Sequence, residues 1–220
     1  MYEWEEAEME KLLQVEYIDQ SVNWPTGCES VSTVMALRFL GMPITVDEFI
    51  QKCLACRSLT MKNGVQIGPD PNHFFIGDPH VDEGSYGCYA QAIVEAIGRA
   101  KKLYPEFAYQ PVDLTGLATE TLAEKYVAAG VPVIYWATMD MEPSGYYGAW
   151  TLENSGEQFI WKSHEHCLLL TGFEEEHYIF HDPWKNNGIV RHPKELVQKR
   201  HEEMYSMAVS FIPETRRQER

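Results

Sequence analysis

Cys28 has the position that a cysteine nucleophile needs. It lies in the stretch "SVNWPTGCESVSTVMALRFLG", where a turn-forming segment gives way to an apolar helical pattern. At a helix N-terminus, unpaired backbone N–H groups and the helix dipole stabilise an anion and lower the pKa of a thiol. The sequence therefore predicts an activated thiolate at Cys28, and the structural alternative is an inert, buried cysteine.

A thiol nucleophile also needs an imidazole base, and the stretch "SHEHCLLLTGFEEEHYIFHDP" offers four histidines: His164, His166, His177 and His181. Its two apolar runs read as antiparallel strands joined by an acidic turn near Glu174. That pairing places His166 opposite Asp182 on one face of the sheet, where the carboxylate can orient the imidazole. The last two histidines lie at the turn or on the other face, which is typical of packing residues, so His164 is the alternative base.

Four predicted helices position these groups in the first part of the chain. The helix that begins near Cys28 has an apolar spacing close to 3.6 residues and ends at Gly41 before Pro43. The other three are a helix capped by Thr45 that runs to about Leu54, a helix capped by Ser85 from Tyr86 to about Ala100, and a helix from Glu120 to Ala129 that stops at Gly130.

Short β-prone runs dominate from Val131 onward: "VPVIYWA", "QFIW", "HCLLLTGF", "HYIFHD", "GIVRH" and "SMAVSF". Helices first and strands later predict an α+β protein with an antiparallel sheet. We expect one domain, residues 1–220, with a helical half at about 20–130 and a sheet half at about 131–213. A cleft between the halves would have "YYGAW", residues 146–150, at its rim, and residues 57–84 are expected to form a long ordered loop.

Composition and charge exclude several classes of partner. The chain has 220 residues, of which 45% are hydrophobic, and a formal net charge of −15. It therefore has enough apolar residues for a sizeable core, but it has no basic patch for nucleic acid or for an anionic membrane surface. The apolar runs are far shorter than the ~20 residues of a membrane-spanning helix, so a soluble protein without an integral membrane segment is predicted.

The N-terminal stretch "MYEWEEAEMEKLL" is acidic where a secretory signal carries positive charge, so we predict no signal peptide in this chain. This leaves the compartment open between the cytoplasm and export after removal of a signal. The five cysteines are an odd number and favour reduced thiols over a disulfide framework. The sequence does not define an oligomeric state.

Signals for metals and redox chemistry are weak, and we predict neither a metal nor a cofactor. "CLAC" at residues 53–56 has the spacing of a zinc or redox pair, but no second pair accompanies it. A loop carries acidic residues without the spacing of a calcium-binding motif: Asp70, Asp78, Asp82 and Glu83. A thiol redox protein that uses Cys53 and Cys56 stays as an alternative function.

Several motifs, in this order along the chain, resemble those of the papain-like cysteine peptidases, and within them the stand-alone, soluble relatives of the bacteriocin leader (double-glycine) peptidases. The matching pieces are Gln20, "PTGCES" at 25–30, "DPNHFFIGDP" at 70–79, "YGCY" at 86–89, "GVPVIYWAT" at 130–138, "HCLLLTGF" at 166–173 and "DPW" at 182–184. Two features depart from better-known branches: Gln20 precedes Cys28 by eight residues, and a glycine precedes the cysteine.

The resemblance implies a papain-like fold and a peptidase that acts on a peptide or protein substrate. It assigns Cys28 as the nucleophile, His166 as the general base, Asp182 as the group that orients it, and Gln20 as the oxyanion-hole donor. Two other functions fit the same residues: an acyl transferase that passes the acyl group to an amine, and a catalytically silent module that binds peptides.

Overall fold

The structure is a computed structural model that describes residues 10–214. Most of the acidic N-terminal stretch, which the sequence predicts not to be an export signal, lies outside the described residues. Among the helices of the described part, none combines the length and the apolar character needed to cross a membrane.

The nucleophile candidate begins helix α1 (Cys28–Phe39), as predicted, with Gly27 as its N-cap. Every residue from Cys28 to Leu37 is buried, so the helix is enclosed on all sides. Side chains that lose all exposure, such as Val31 and Val34, each contribute roughly 1.5–3 kcal/mol through the hydrophobic effect. Ser32 satisfies its hydroxyl by donating a hydrogen bond of 3.1 Å to the Cys167 carbonyl oxygen. These contacts fix the end of the helix that carries Cys28.

The other helices follow the sequence in part. They are α2 (Val46–Lys52), α3 (Ala90–Leu103), α4 (Thr119–Leu122), which continues as one π-helical turn (Ala123–Val127), and α5 (Lys194–Glu203). The predicted cap of α2 is present, because Thr45 Oγ1 accepts a hydrogen bond of 3.1 Å from the Glu48 N–H. The prediction that Ser85 caps the third helix is wrong. Its hydroxyl bonds to Asp78, Gly87 forms a β-bridge with Ile76, and α3 therefore begins only at Ala90.

All six strands predicted after Val131 are present among the described residues. The strands are β1 (Lys11–Leu12), β2 (Cys56–Arg57), β3 (Thr60–Lys62), β4 (Val65–Gly68), β5 (Phe75–Ile76), β6 (Tyr109–Asp113), β7 (Val133–Thr138), β8 (Tyr146–Leu152), β9 (Gln158–Lys162), β10 (Glu165–Phe173), β11 (His177–Asp182), β12 (Gly188–Pro193) and β13 (Ala208–Pro213).

Seven strands form the main sheet, and all their pairings are antiparallel. Its hydrogen-bonded order is β12–β11–β10–β7–β13–β6, with β1 paired to the end of β10. Alternate residues of the central strands pack on opposite faces: Ile134 and Trp136 lie in the core that includes α1 and α3, whereas Val133 and Tyr135 lie in a second core. The α+β class with an antiparallel sheet is thus confirmed.

Residues 57–84 are more regular than the predicted loop. They contain β3, β4 and β5, and the first two join β8 and β9 in a four-stranded sheet. These strands are only two to four residues long, β3 is exposed throughout and β4 in its first half, so they have no hydrophobic alternation that a sequence pattern could reveal. The side sheet, β3–β4–β8–β9, carries "YYGAW" in β8.

The buried side chain of His201 is expected to make the folded state less stable at acidic pH. Its ring is fully buried, stacks on Tyr135 at a centroid distance of 4.0 Å, and donates from Nδ1 to the Trp136 carbonyl oxygen at 2.8 Å. Burial is the main reason that the pKa of His201 falls to about 4, whereas an unfolded histidine titrates near 6.5. Since the unfolded chain binds the proton more readily, the stability from neutral His201 is fully present above pH about 6.5 and is lost as the pH falls toward 4.

We therefore expect the melting temperature of the wild type to fall more steeply between pH 6.5 and pH 4.5 than that of His201→Gln. The difference should be on the order of 5–10 °C, from about 1.4 kcal/mol per pH unit. Circular dichroism melts at each pH measure it. Parallel curves for the two proteins would show that His201 is not the responsible group.

Candidate active site

Cys28 lies at the wall of a cavity of about 320 Å³, with 6% of its surface exposed. The cavity is also lined by Gln20, Tyr86, Met139, Tyr147, Trp161, Lys162, His164, Glu165, His166 and Trp184. The Cys28 thiol donates a hydrogen bond of 3.3 Å to Glu29 Oε2. The start of α1 therefore brings the thiol to a space that a peptide segment can enter.

The electrostatics around Cys28 differ from the sequence-based prediction of a lowered thiol pKa. Burial, followed by the nearby acidic side chains of Glu29 and Glu165, raises the pKa of Cys28 well above its usual value. A helix N-terminus contributes only about 0.3–1 kcal/mol to the stability of an anion. This does not offset the removal of the thiolate from water or the unfavourable effect of two nearby carboxyl groups. The thiol form is therefore the resting form in this environment.

His166 and Asp182 form a buried pair. His166 Nε2 lies 2.7 Å from Asp182 Oδ1, and the side chains are 1% and 4% exposed. Because Nε2 is engaged by the carboxylate, Nδ1 is the ring nitrogen left for another partner. This pair lies at the start of β10 and the end of β11, next to the cavity that also contains Cys28.

Asp182 is held by groups beyond His166. Its Oδ1 accepts from the Trp184 backbone N–H at 3.0 Å, and its Oδ2 accepts from Asn187 Nδ2 at 2.8 Å. Burial alone would raise the pKa of Asp182, but the charge on His166 and these hydrogen bonds outweigh burial, and the pKa is lowered. The carboxylate form is thus stabilised beside the imidazole.

The strand register that led to this pair was wrong in detail. Leu169 pairs with His181 and Leu170 with Phe180, and a bulge follows at Thr171. Asp182 consequently lies diagonally from His166, two positions from the predicted alignment. Diagonal neighbours on one face of a sheet remain within reach of long side chains, and this explains the 2.7 Å contact.

Gln20 is 1% exposed and lies at the same cavity. Its Nε2 donates to the Pro25 carbonyl oxygen at 2.9 Å, and its backbone N–H donates to the Pro183 carbonyl oxygen at 3.0 Å. An amide NH₂ group has two hydrogens, so one N–H remains after the bond to Pro25. The remaining N–H is left to bond with a further acceptor.

The other three histidines differ from His166 in their surroundings. His181 is buried between Thr171 and the Val15 carbonyl oxygen, with both ring nitrogens engaged, so it packs as predicted. His177 begins β11 and is partly exposed. His164 lies exposed in the turn before β10, with a positive φ of 60°, and it borders the cavity. The rim predicted from "YYGAW" is also confirmed, because Tyr147 lines the cavity.

Two buried acids next to Cys28 were missed by the sequence analysis. Glu29 has no exposed surface and Glu165 is 7% exposed. Glu29 Oε1 accepts from the Cys88 N–H at 2.6 Å, whereas Glu165 Oε1 has no hydrogen-bond partner among the described residues. The signal in the sequence was a glutamate directly after Cys28 and another directly before His166.

Ligand atoms of Cys28, Glu29 and Glu165 lie within 4.8 Å of one another, a spacing that would also suit a metal ion. Both oxygens of Glu29 already accept hydrogen bonds, from the Cys88 N–H and from the Cys28 thiol. Two of the four acids considered for calcium stabilise turns: Asp70 accepts from the Asn72 N–H and Asp78 from the His80 N–H.

The "CLAC" pair does not have the environment of a redox site. Cys53 is buried at the end of α2 and Cys56 is exposed on β2, and both are free thiols. Burial raises the pKa of Cys53 to about 11. A reactive redox pair needs a lowered thiol pKa, so this observation argues against the redox alternative.

Comparison with known proteins shows the family. The profile of the Peptidase_C39 like family matches residues 12–209. The structure is similar to a putative C39-like peptidase from Bacillus anthracis, with a TM-score of 0.78 and 26% identity over 94% of this chain and 99% of that chain. A search of curated proteins gives no significant match.

Two further solved structures match with lower scores. One is a double glycine motif protease from an AMS/PCAT transporter in complex with its leader peptide, with a TM-score of 0.48 and 14% identity over 93% of this chain and 95% of that one. The other is the peptidase domain of Streptococcus ComA, with a TM-score of 0.47 and 15% identity over 94% and 99% of the two chains.

Proposed function

The chain belongs to the Peptidase_C39 like family, and we propose that it hydrolyses a peptide or related amide bond through a thioester acyl-enzyme on Cys28. Family membership and the similarity to the Bacillus anthracis protein support a cysteine peptidase function. The observation that carries the proposal is the buried His166–Asp182 pair, 2.7 Å apart, at the cavity whose wall contains Cys28. We further propose that residues 1–220 form one peptidase domain.

Acylation begins when the substrate carbonyl carbon comes within reach of Cys28 Sγ. The thiol proton passes to His166 Nδ1 while the sulfur attacks, because Nε2 is occupied by Asp182. The carbonyl oxygen becomes an oxyanion in the tetrahedral intermediate. Imidazolium then gives its proton to the leaving amine, the C–N bond breaks, and a thioester remains on Cys28.

Deacylation reverses the roles with water as the nucleophile. His166 takes a proton from water, the hydroxide oxygen attacks the thioester carbonyl, and the thiol leaves with that proton. Asp182 remains ionised throughout, since His166 and two hydrogen bonds lower its pKa. It fixes the ring and stabilises the imidazolium that forms in each half-reaction.

Gln20 is proposed to stabilise the oxyanion with its remaining side-chain N–H, together with the Cys28 backbone N–H. Gln20→Ala is expected to lower kcat on the order of 100-fold, because one oxyanion-hole donor contributes about 3 kcal/mol to the transition state. KM should change little, since the ground-state carbonyl forms a weaker bond. Steady-state kinetics measure both constants, with Asn23→Ala, an exposed residue of the same loop, as the control.

An equal loss of activity in Gln20→Ala and Asn23→Ala would indicate a general effect on the loop instead. A loss confined to KM would assign Gln20 to substrate binding. Both results would contradict its proposed role in the transition state.

The proposed substrate is a peptide or protein. The net charge of −15 disfavours nucleic acid, and the cavity walls combine aromatic rings with polar groups, as a peptide requires. The function is tested by incubating the protein with a peptide library and identifying products by mass spectrometry. Free carboxyl products that depend on Cys28 support hydrolysis. Products acylated on an added amine would identify transfer, and intact peptides would overturn the proposal.

A further inference from the structure

A pair of acids lies directly behind the proposed nucleophile. Glu29 follows Cys28 on α1, and Glu165 precedes His166 on β10. The two carboxyl groups share one small space, since a Cβ atom built on Gly87 would lie 2.5 Å from Glu29 Oε1 and 2.9 Å from Glu165 Oε2. Gly87 has a φ of 147°, so backbone conformation and space both require glycine there. Gly87 of the "YGCY" motif therefore packs directly against both carboxyl groups.

Glu29 connects the pair to the thiol. One carboxyl oxygen accepts from the Cys88 N–H at 2.6 Å, and the other accepts from the Cys28 thiol at 3.3 Å. The bond to Cys88 fixes Glu29 in this position, so the contact with Cys28 does not depend on a mobile side chain. Any charge on Glu29 thus acts on Cys28 Sγ at hydrogen-bond distance.

The ionisable groups that interact electrostatically with Glu29 come from three elements and from the segment before α3. They are Cys28 on α1, Glu165, His166 and Cys167 on β10, Cys56 on β2, and Cys88 before α3. The Glu29 and Glu165 carboxyl groups have oxygens within 4.8 Å of each other. Two buried carboxylates this close repel each other, so near neutral pH at most one of them carries a charge. Burial raises the pKa of Glu29 to about 7, and burial together with Glu29 raises the pKa of Glu165 well above its usual value. Glu165 therefore holds its proton while Glu29 titrates.

We propose that Glu29, backed by protonated Glu165, is a positioning residue that sets the protonation of Cys28. This inference rests on the proposed function of Cys28 as the nucleophile. When Glu29 is ionised it accepts the thiol hydrogen and opposes formation of the thiolate. When Glu29 is protonated its O–H donates to Cys28 Sγ and stabilises the thiolate. The pair thus favours the nucleophile on the acidic side of neutrality.

The test measures the rate of iodoacetamide labelling of Cys28 from pH 5.5 to pH 9, by peptide mass spectrometry, in the wild type and Glu29→Gln. Glutamine has the same size and keeps an oxygen for the Cys88 N–H, but it carries no charge. The ratio of variant to wild-type rates should be close to one at pH 5.5 and should rise to about tenfold above pH 8, because a tenfold change in thiolate fraction equals one pKa unit. Glu106→Gln, an exposed glutamate, provides the matched control.

A ratio that does not change with pH would overturn the inference, because a purely structural effect of the substitution has no reason to titrate. A profile that changes on addition of EDTA would also overturn it, since a bound cation would then neutralise the acids. If Glu29→Gln does not fold, the profile of His166→Ala replaces it. In that variant Glu29 still opposes the thiolate as it ionises, so the rate should rise only about tenfold between pH 6 and pH 8, against nearly hundredfold for a free thiol.

Labelling requires no substrate, so the two proposals fail separately. If the wild type hydrolyses peptides but the ratio of labelling rates does not change with pH, only the role of Glu29 is contradicted. If the ratio of labelling rates changes with pH but no peptide is hydrolysed, the role of the acid pair is supported and the peptidase function is contradicted.

Discussion

Replacing Cys28 with alanine is expected to lower kcat by at least about 10⁴-fold. The acyl-enzyme forms on Cys28 Sγ, and alanine offers no atom that can accept the acyl group. Gln20 and His166 still line the cavity, but without a nucleophile the remaining groups contribute only binding and oxyanion stabilisation. Hydrolysis of the preferred library peptide, followed by chromatography, measures the loss.

Cys56→Ala is the matched control for this experiment, because Cys56 is a free and exposed thiol. It should retain activity within about twofold, as surface substitutions usually do. Inactivation of Cys56→Ala or Cys53→Ala with an active Cys28→Ala would instead assign the chemistry to the "CLAC" pair.

His166→Ala should cause the second large loss, on the order of 10³–10⁴-fold in kcat. The variant has no group at the start of β10 to take the thiol proton or to protonate the leaving amine, and general acid–base catalysis typically contributes 10²–10⁴-fold in each step. Asp182 would in addition lose its charge partner at 2.7 Å in a buried site.

His164→Ala distinguishes His166 from the alternative base. His164 borders the same cavity but is exposed in a turn, so its loss should reduce kcat by less than about tenfold. If His164→Ala were the inactive variant and His166→Ala the active one, the assignment of the general base would be wrong.

Elements with a strong hydrophobic period could be predicted from the sequence. Helix α1 and the six C-terminal strands were found because their apolar spacing matches a buried helix or a strand. Helix α5 was missed, since only Val197, Arg200 and His201 of its ten residues are buried and no apolar stripe marks it. The start of α3 was placed too early because Ser85 resembles an N-cap, whereas tertiary contacts with Asp78 determine its role.

The sequence indicated which four candidate residues would lie close together, but it did not indicate the electrostatics around them. Residue types and chain order indicated Cys28, His166, Asp182 and Gln20, and all four lie in or next to one cavity. The raised pKa of Cys28 could not be predicted, because it depends on burial and on Glu165, which is distant in sequence. The bulge at Thr171 likewise depends on the packing of β10 against two other strands.

Formation of an acyl-enzyme on Cys28 tests the central claim most directly. The preferred peptide is prepared as a p-nitrophenyl ester, so that acylation is fast and deacylation limits turnover, and the reaction is stopped with acid within the first turnover. We expect a burst of one p-nitrophenol per protein molecule, and a peptide acyl group on Cys28 in the mass spectrum of the digested protein. Turnover without a burst, or an acyl group on any other residue, would contradict the assignment of Cys28 as the nucleophile.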